Sequence, residues 1–266
     1  MKKNILSMVL VAALILAMVP LTAGAAEVAR SCRTIASNQY NALAIKTDGS
    51  LWQWSSAKGS SNAGTPSKVM DDVTSVYAAA STLYALKTNG ELWAWGEKLD
   101  FISSAVEGKV AEPAKLMDDV IDVSTGLSYC YAVKSDGTLW VWGRDQYSSE
   151  SGWNTGDTIV APQKIMDGVA MVESHRGPGF LYIKTDGSLW QVSGPAPFYS
   201  GVSTPENPKK LMDSAKTLFP GYTTSAPLQA VLIIDSENAL WVQTDTVTPS
   251  KLMDNVKYAH GIGAVK

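Results

Sequence analysis

The sequence predicts an all-β propeller built from one repeated unit. Three observations predict it: five in-register copies of a two-part motif, Asp-Gly or Asn-Gly pairs between short apolar runs, and no useful helical period after residue 26. The first motif runs Ala44-Ile45-Lys46-Thr47-Asp48-Gly49-Ser50-Leu51-Trp52 and returns at Ala85–Trp93, Ala132–Trp140, Tyr182–Trp190 and Ile233–Trp241. The second, Pro66-Ser67-Lys68-Val69-Met70-Asp71, returns from Pro113, Pro162, Pro208 and Pro249. Successive Trp residues lie 41, 47, 50 and 51 positions apart, about the length of one blade of short strands.

The two halves of the unit behave differently. From each Pro to the next Trp the chain counts 27, 27, 28 and 33 residues, whereas from each Trp to the next Pro it counts 14, 20, 22, 18 and 8. A packed scaffold fixes length and surface connections do not. The segments Trp54–Thr65, Trp95–Glu112, Trp142–Ala161, Val192–Asn207 and Gln243–Thr248 are therefore expected largely on one face.

Each element of the fixed half has a local cause. Apolar pairs such as Val73 and Val76, or Val120 and Val123, read as an opening strand. Leu43-Ala44-Ile45 and Leu51-Trp52-Gln53-Trp54 read as two more. Asp48-Gly49, Asn89-Gly90, Asp136-Gly137 and Asp186-Gly187 supply tight two-residue turns whose central residues both take positive φ, and Glu237-Asn238 is a weaker version. Each unit thus offers three or four strands.

The first segment is an address. Lys2 and Lys3 precede the 15-residue apolar run Ile5–Val19, then Pro20 and the small-residue site Ala23-x-Ala25. That order is a secretory leader over 1–25, with the repeat domain over 26–266. The run falls short of the roughly 20 residues that span a bilayer, and no second one follows. Removing 1–25 leaves 241 residues with 20 basic and 25 acidic side chains, a net charge of −5. The expectation is a protein secreted to the extracellular space or cell envelope, without a membrane span and without a nucleic-acid partner.

Leu92-Trp93-Ala94-Trp95-Gly96 and Leu139-Trp140-Val141-Trp142-Gly143 are the fullest copies of a pattern that reads apolar-x-Ala-Leu-Lys-x-Asp-Gly-x-Leu-Trp-x-Trp-Gly. With Pro and a Val-x-x-Val strand between copies, it resembles the RCC1-type (regulator of chromosome condensation) repeat over Cys32–Lys266. The resemblance implies an RCC1-like β-propeller, in that family usually seven-bladed. The family has many secreted bacterial members, one type of which inhibits β-lactamases with its loop face. This chain departs from the pattern in three ways. Glu97-Lys98-Leu99-Asp100 stands where the family has Asn-x-x-Gly-Gln-Leu-Gly. Asn41, Thr82, Tyr129, Gly179 and Ala230 fill a column that often holds His. Val192 and Gln243 replace the second Trp.

Five units are complete. After Met253-Asp254 only Asn255–Lys266 remains, the opening strand of a sixth, while the chain begins with its own copy of that strand at Cys32–Ile35. Five blades closing with an overhang, an open ring, and a longer protein all stay open, and the sequence favours an incomplete ring. An open arc exposes a strand edge and an apolar face, so self-association is expected if the ring is open.

The unusual residues read as structure. Cys32 aligns with Val73, Val120 and Val169, and Cys130 with Ala42, Leu83, Phe180 and Val231, so both are expected as small core hydrophobes rather than a disulfide. Met70, Met117, Met166, Met212 and Met253 form a packing column, each followed by an Asp suited to a turn. His175 and His260 are the only imidazoles and stand in no catalytic motif. No enzyme activity, metal or cofactor is expected. A carbohydrate-active hydrolase remains an alternative and needs two carboxylates about 5–10 Å apart.

That leaves surfaces. Trp153 is the single Trp of nine outside the two repeat columns, and Arg144 and Tyr147 share its segment, the longest of the variable ones. Phe101, Phe198 and Tyr199 occupy the equivalent segments of other units. Exposed aromatics with an Arg are the material of interface hot spots. The reading is a secreted, non-enzymatic propeller whose variable face binds a protein or carbohydrate. A structural module of a cell-envelope or surface protein is the alternative. Export and the acidic balance disfavour the nucleotide-exchange role of the eukaryotic relatives.

Overall fold

The computed structural model describes residues 32–38, 40–55, 64–79, 81–97, 99, 109–126, 129–145, 158–174, 179–192, 208–222, 229–244, 248–256, 258–260 and 263–265. Each repeat folds as one antiparallel four-stranded sheet in which every strand pairs with its neighbour in sequence. Blade 1 holds β1 (Ile35–Ser37), β2 (Asn41–Ile45), β3 (Leu51–Ser55) and β4 (Ser67–Met70). Blade 2 holds β5 (Val73–Ala78), β6 (Thr82–Lys87), β7 (Leu92–Glu97) and β8 (Lys109–Met117). Blade 3 holds β9 (Val120–Thr125), β10 (Tyr129–Lys134), β11 (Leu139–Asp145) and β12 (Thr158–Met166). Blade 4 holds β13 (Val169–Ser174), β14 (Phe180–Lys184), β15 (Leu189–Val192) and β16 (Lys209–Met212). Blade 5 holds β17 (Ala215–Tyr222), β18 (Gln229–Asp235), β19 (Leu240–Gln243) and β20 (Ser250–Met253). A hairpin of β21 (Tyr258–His260) and β22 (Gly263–Val265) follows. The tail is therefore more than the opening strand expected from the sequence: the chain folds back and pairs His260 with Gly263.

Strand alternation gives each blade two faces, and both are apolar because both are buried. The forward face of blade 1, with Leu43 and Leu51, packs on the back face of blade 2, with Val76, Leu83, Ala85 and Trp95. Tyr131, Val133 and Leu139 meet Val172, Phe180 and Tyr182 in the same way at the junction of blades 3 and 4. Leu181 and Leu189 meet Leu218 and Val231 at the next junction. The first strands of successive blades are neighbours and form the inner wall. A backbone bond repeats at each junction: the N–H groups of Val73, Val120, Val169, Ala215 and Val256 donate to the carbonyls of Gly49, Gly90, Gly137, Gly187 and Asn238, at 2.8–3.0 Å. Val256 makes it for the hairpin, so the hairpin is docked as the start of a sixth blade.

Three local readings change. The Asp-Gly turns are not two-residue turns. Gly49 donates to the Lys46 carbonyl, Lys46 donates to that of Ser50, and the left-handed conformation falls on Gly49 (φ 81°) and not on Asp48. Asp48 instead accepts from the Ser50 N–H and hydroxyl at 3.0 and 2.6 Å, a side-chain turn that needs no positive φ at the Asp. Second, β8 and β12 run for nine residues and take up part of the segments read as variable. Pairing resumes beyond Pro113 and Pro162, which have no N–H to offer the ladder, through a bulge at Gly96 and Gly143. Third, Cys130 is buried as expected but Cys32 is exposed, because among the described residues no blade packs over blade 1 on that side. The two thiols are free. The Met column packs against the junction clusters, and each following Asp pairs with the Lys three residues before it, Lys68 with Asp71 at 2.8 Å being one of five. The leader read over 1–25 lies outside the described residues. Among the described residues no helix is long and apolar enough to cross a membrane.

Candidate functional site

The strand order sorts every connection to one end of the blades or the other. The short turns between second and third strands lie at one end, as do those that lead into the next blade. They are closed by the repeated Asp side-chain and Lys–Asp interactions. The connections between third and fourth strands leave from the opposite end, where β3, β7, β11, β15 and β19 finish. Those are the segments whose length varies, so the structure brings their anchor points to one face as the spacing predicted. Phe101, Tyr147, Trp153, Phe198 and Tyr199 lie outside the described residues. Arg144 falls on β11, paired with Ile159 of β12, so it sits on a strand extension rather than in a free connection, and its side chain is outside the described part.

The first strands of successive blades lie side by side along the inner wall. Here the structure shows a polar cluster that the sequence reading missed. Arg33, just before β1 in blade 1, donates to Glu173 Oε2 of β13 in blade 4 at 2.8 Å, 140 positions further along the chain. The Glu173 side chain is only 6% exposed, and Arg33 is 25% exposed. The guanidinium also lies over the Tyr77 ring, 5.4 Å from its centroid. Burial pushes the Glu173 carboxyl up from its ordinary value, against the pull of Arg33 and of the hydroxyl of Ser124. Burial works against the Arg33 charge too, but Glu173, Tyr77 and Asp122 outweigh it and the guanidinium pKa is raised. Around them, Asp122 Oδ2 accepts the Val172 N–H at 2.9 Å. Ser124 Oγ accepts the Ser174 N–H at 2.8 Å and donates to Ser174 Oγ at 3.1 Å.

These residues come from the inner column Ala36, Tyr77, Ser124, Glu173 and Phe219 and its neighbours. That column changes character in every blade, so no repeat pattern announces it. The only sequence signal is Glu173 itself, a charge in a strand whose six residues are all buried. Chemically the cluster is a satisfied network: the carboxylates hold Arg33 and a backbone N–H, and the serine hydroxyls bond each other. It ties blade 1 to blade 4 across the centre. Among the described residues no group of three or more His, Cys, Asp or Glu could hold a metal ion.

The same architecture is found in solved structures. Human WBSCR16 superposes with a TM-score of 0.61 at 15% identity, over 86% of this chain and 69% of its own. The fold is RCC1-like. Prp20p of Saccharomyces cerevisiae, described with its binding to Gsp1p and histones, gives 0.57 at 15% identity, covering 86% of this chain and 66% of its own. Yeast RCC1 (Prp20) bound to Kap60 gives 0.56 at 16%, covering 87% and 67%. This RCC1-like propeller thus spans about two thirds of the length of these neighbours. No family model matches the sequence, and no curated protein does.

Proposed function

We propose that the chain is an exported, non-enzymatic interaction module that binds a protein partner with the face from which its variable segments issue. The observation that carries this reading is the division of the two ends. One end is closed by near-identical turns in all five blades, and the other anchors the segments whose Trp-to-Pro lengths are 14, 20, 22, 18 and 8 residues. A scaffold that holds one end constant and diversifies the other is arranged for recognition. The Arg33–Glu173 bridge supports the reading by tying blade 1 to blade 4, which stiffens the scaffold that carries that face and lowers the ordering cost of binding. Two of the neighbours bear on it too, Prp20p with Gsp1p and histones, and yeast RCC1 with Kap60. The leader read over 1–25 supports export, and Trp153, Tyr147 and Arg144 are the residues proposed from the sequence to contact the partner.

The test compares three forms of residues 26–266 on a support exposed to extracellular and envelope proteins. These are the native sequence, the double variant Trp153→Ala/Tyr147→Ala, and the turn-end variant Asp71→Asn/Asp118→Asn. A protein retained by the first and third but lost with the double variant, at unchanged melting temperature, is the expected result. Retention that the double variant does not alter overturns the reading. So does a large melting-temperature drop in that variant, which makes the rings part of the packing. Turnover of chromogenic glycosides by the native chain replaces it with the hydrolase.

A further inference from the structure

The groups that hold the Arg33 guanidinium come from three other blades and match its chemistry point by point. They stand on first strands: Tyr77 on β5, Asp122 on β9 and Glu173 on β13. Glu173 Oε2 accepts a hydrogen bond from the guanidinium at 2.8 Å, and the guanidinium carbon lies 5.4 Å over the centroid of the Tyr77 ring. Asp122 adds a second negative charge that acts on it. An ammonium group would bring the charge, but neither the flat face for the ring nor the rigid fork of donors for the carboxylates.

The two acids are placed for this one group. The column of Glu173 otherwise reads Ala36, Tyr77, Ser124 and Phe219, and that of Asp122 reads Thr34, Ser75, Met171 and Thr217, with no charge in either. The blade junction does not need them. Where Asp122 accepts the Val172 N–H, Met171 Sδ accepts that of Leu218 at the next junction, at 3.2 Å. A buried carboxylate such as Glu173 lowers stability unless a cation answers it, so the pair adds recognition to the inner wall and not architecture. The occupant is off-pattern as well. Thr74, Ile121, Ala170 and Lys216 fill the column of Arg33 in blades 2 to 5, and Lys216 donates to Asn238 Oδ1 of its own blade at 3.3 Å.

Receptor and occupant also differ in how firmly they are held. Tyr77 and Glu173 are buried on six-residue strands packed beside the first strands of neighbouring blades. Arg33 precedes β1, a strand of three residues of which two are exposed, and a quarter of its side chain reaches solvent. We propose that the inner wall of blades 2, 3 and 4 is a binding site for an arginine side chain, that Arg33 is its tethered occupant, and that an arginine of a protein partner takes the same place by displacing it. The site rests on the inner wall alone and not on the variable segments.

Calorimetry on residues 26–266 with the peptide acetyl-Gly-Arg-Gly-amide tests it. Arg33→Ala should bind the peptide at least about tenfold more tightly than the native chain, where the tethered side chain competes at high effective concentration. The peptide should also raise the melting temperature of Arg33→Ala in a saturable way. Acetyl-Gly-Lys-Gly-amide should do neither, and Arg33→Ala/Glu173→Gln should respond to neither peptide. Adding Trp153→Ala/Tyr147→Ala to Arg33→Ala should leave the affinity unchanged, which separates this site from the variable face. If Arg33→Ala is recovered unfolded, its refolding yield with each peptide reads the same discrimination, and equal yields overturn the site. Absence of binding to a folded Arg33→Ala overturns it, as does equal binding of the Arg and Lys peptides. Equal affinity for the native chain and Arg33→Ala does so too, because the peptide then sits elsewhere.

Discussion

Trp95 of β7 donates its indole N–H to Gln53 Oε1 of β3 at 2.8 Å, across the junction of blades 1 and 2. Three junctions on, Gln243 of β19 stands in the Trp column and donates its amide N–H to Gln191 Oε1 of β15 at 3.2 Å. The donor has changed from indole to amide while the acceptor column has kept its Gln. Where that acceptor is missing the donor adapts: Ala94 stands in the acceptor position of blade 2, and Trp142 donates instead to the hydroxyl of Tyr84 at 3.1 Å. At the remaining junction both positions are Val, Val141 and Val192, packed in one apolar cluster. At these two columns each junction thus holds a donor with an acceptor or neither, while Gln243 Oε1 and the Tyr131 hydroxyl are buried without a hydrogen-bond partner.

Breaking one such pair should cost more than removing both partners. Gln53→Leu leaves the Trp95 N–H, in a side chain only 3% exposed, without an acceptor, and the expected loss is about 1–3 kcal/mol. Gln53→Leu combined with Trp95→Phe should recover part of that loss. Urea unfolding of the two single variants and the double variant measures it. Additive losses, with no recovery in the double variant, would show that the hydrogen bond contributes nothing.

The Arg33–Glu173 bridge makes a sharper version of the same point because one partner is a buried charge. Arg33→Met leaves the Glu173 carboxylate desolvated and unpaired, and stability should fall by about 3 kcal/mol. Arg33→Met/Glu173→Leu should lie well above the single variant, close to the native chain. The coupling energy from the double-mutant cycle is the measurement. A coupling near zero would mean that blades 1 and 4 are held in place without the bridge.

How far the sequence reached follows from which residues repeat. Blade boundaries, strand order and the end from which the connections leave were legible, because Leu51-Trp52, Asp48-Gly49 and Met70-Asp71 recur at fixed spacing and each serves its own blade. The junction pairs were legible only as departures, at Val192 and Gln243, since the compensating partner lies about 50 positions away in a column that looks free to vary. The Arg33–Glu173 bridge was not legible at all. It spans 140 residues, and its column reads Ala36, Tyr77, Ser124, Glu173 and Phe219, with no shared chemistry to align. Blade 5 repeats the lesson within one turn. Ala239 has no hydroxyl to receive the Trp241 indole, and Asp235, in the column of Lys46, takes the bond at 2.7 Å.

Two glycines in left-handed conformations should respond in opposite ways. Gly96 has φ of 112°, and a Cβ there would stand 2.4 Å from the Ser81 carbonyl oxygen, a backbone atom that Glu97 N–H already uses. Gly96→Ala should therefore cost at least about 2–3 kcal/mol. Gly168 has φ of 74° with nothing within 4 Å of a Cβ, and its column is filled elsewhere by Asp72, Asp119 and Asn255 at φ of 60–63°. Gly168→Asn should stay within about 0.5 kcal/mol of the native chain, since Asn tolerates this region. Thermal unfolding of the two variants decides it, and equal losses would refute the steric account of Gly96.

The turn carboxylates set an acid limit on the fold. Asp48, Asp136 and Asp186 are each held below the usual carboxylate value of 3.8, first by the hydroxyls of Ser50, Thr138 and Ser188 and then by the N–H groups of the same residues. A carboxyl whose pKa is lower folded than unfolded adds stability that is fully present above the unfolded value and is lost as pH falls through the folded one. The native chain should therefore lose stability as pH falls below the ordinary Asp value of about 4. Asp48→Asn/Asp136→Asn/Asp186→Asn should start less stable near neutrality, because an amide accepts these bonds more weakly than a carboxylate, and should lose less across that window. Urea midpoints of the two proteins at successive pH values follow the difference. The curves should converge in acid. Parallel curves would show that the bonds form equally well with the neutral acid and that these turns do not sense protonation.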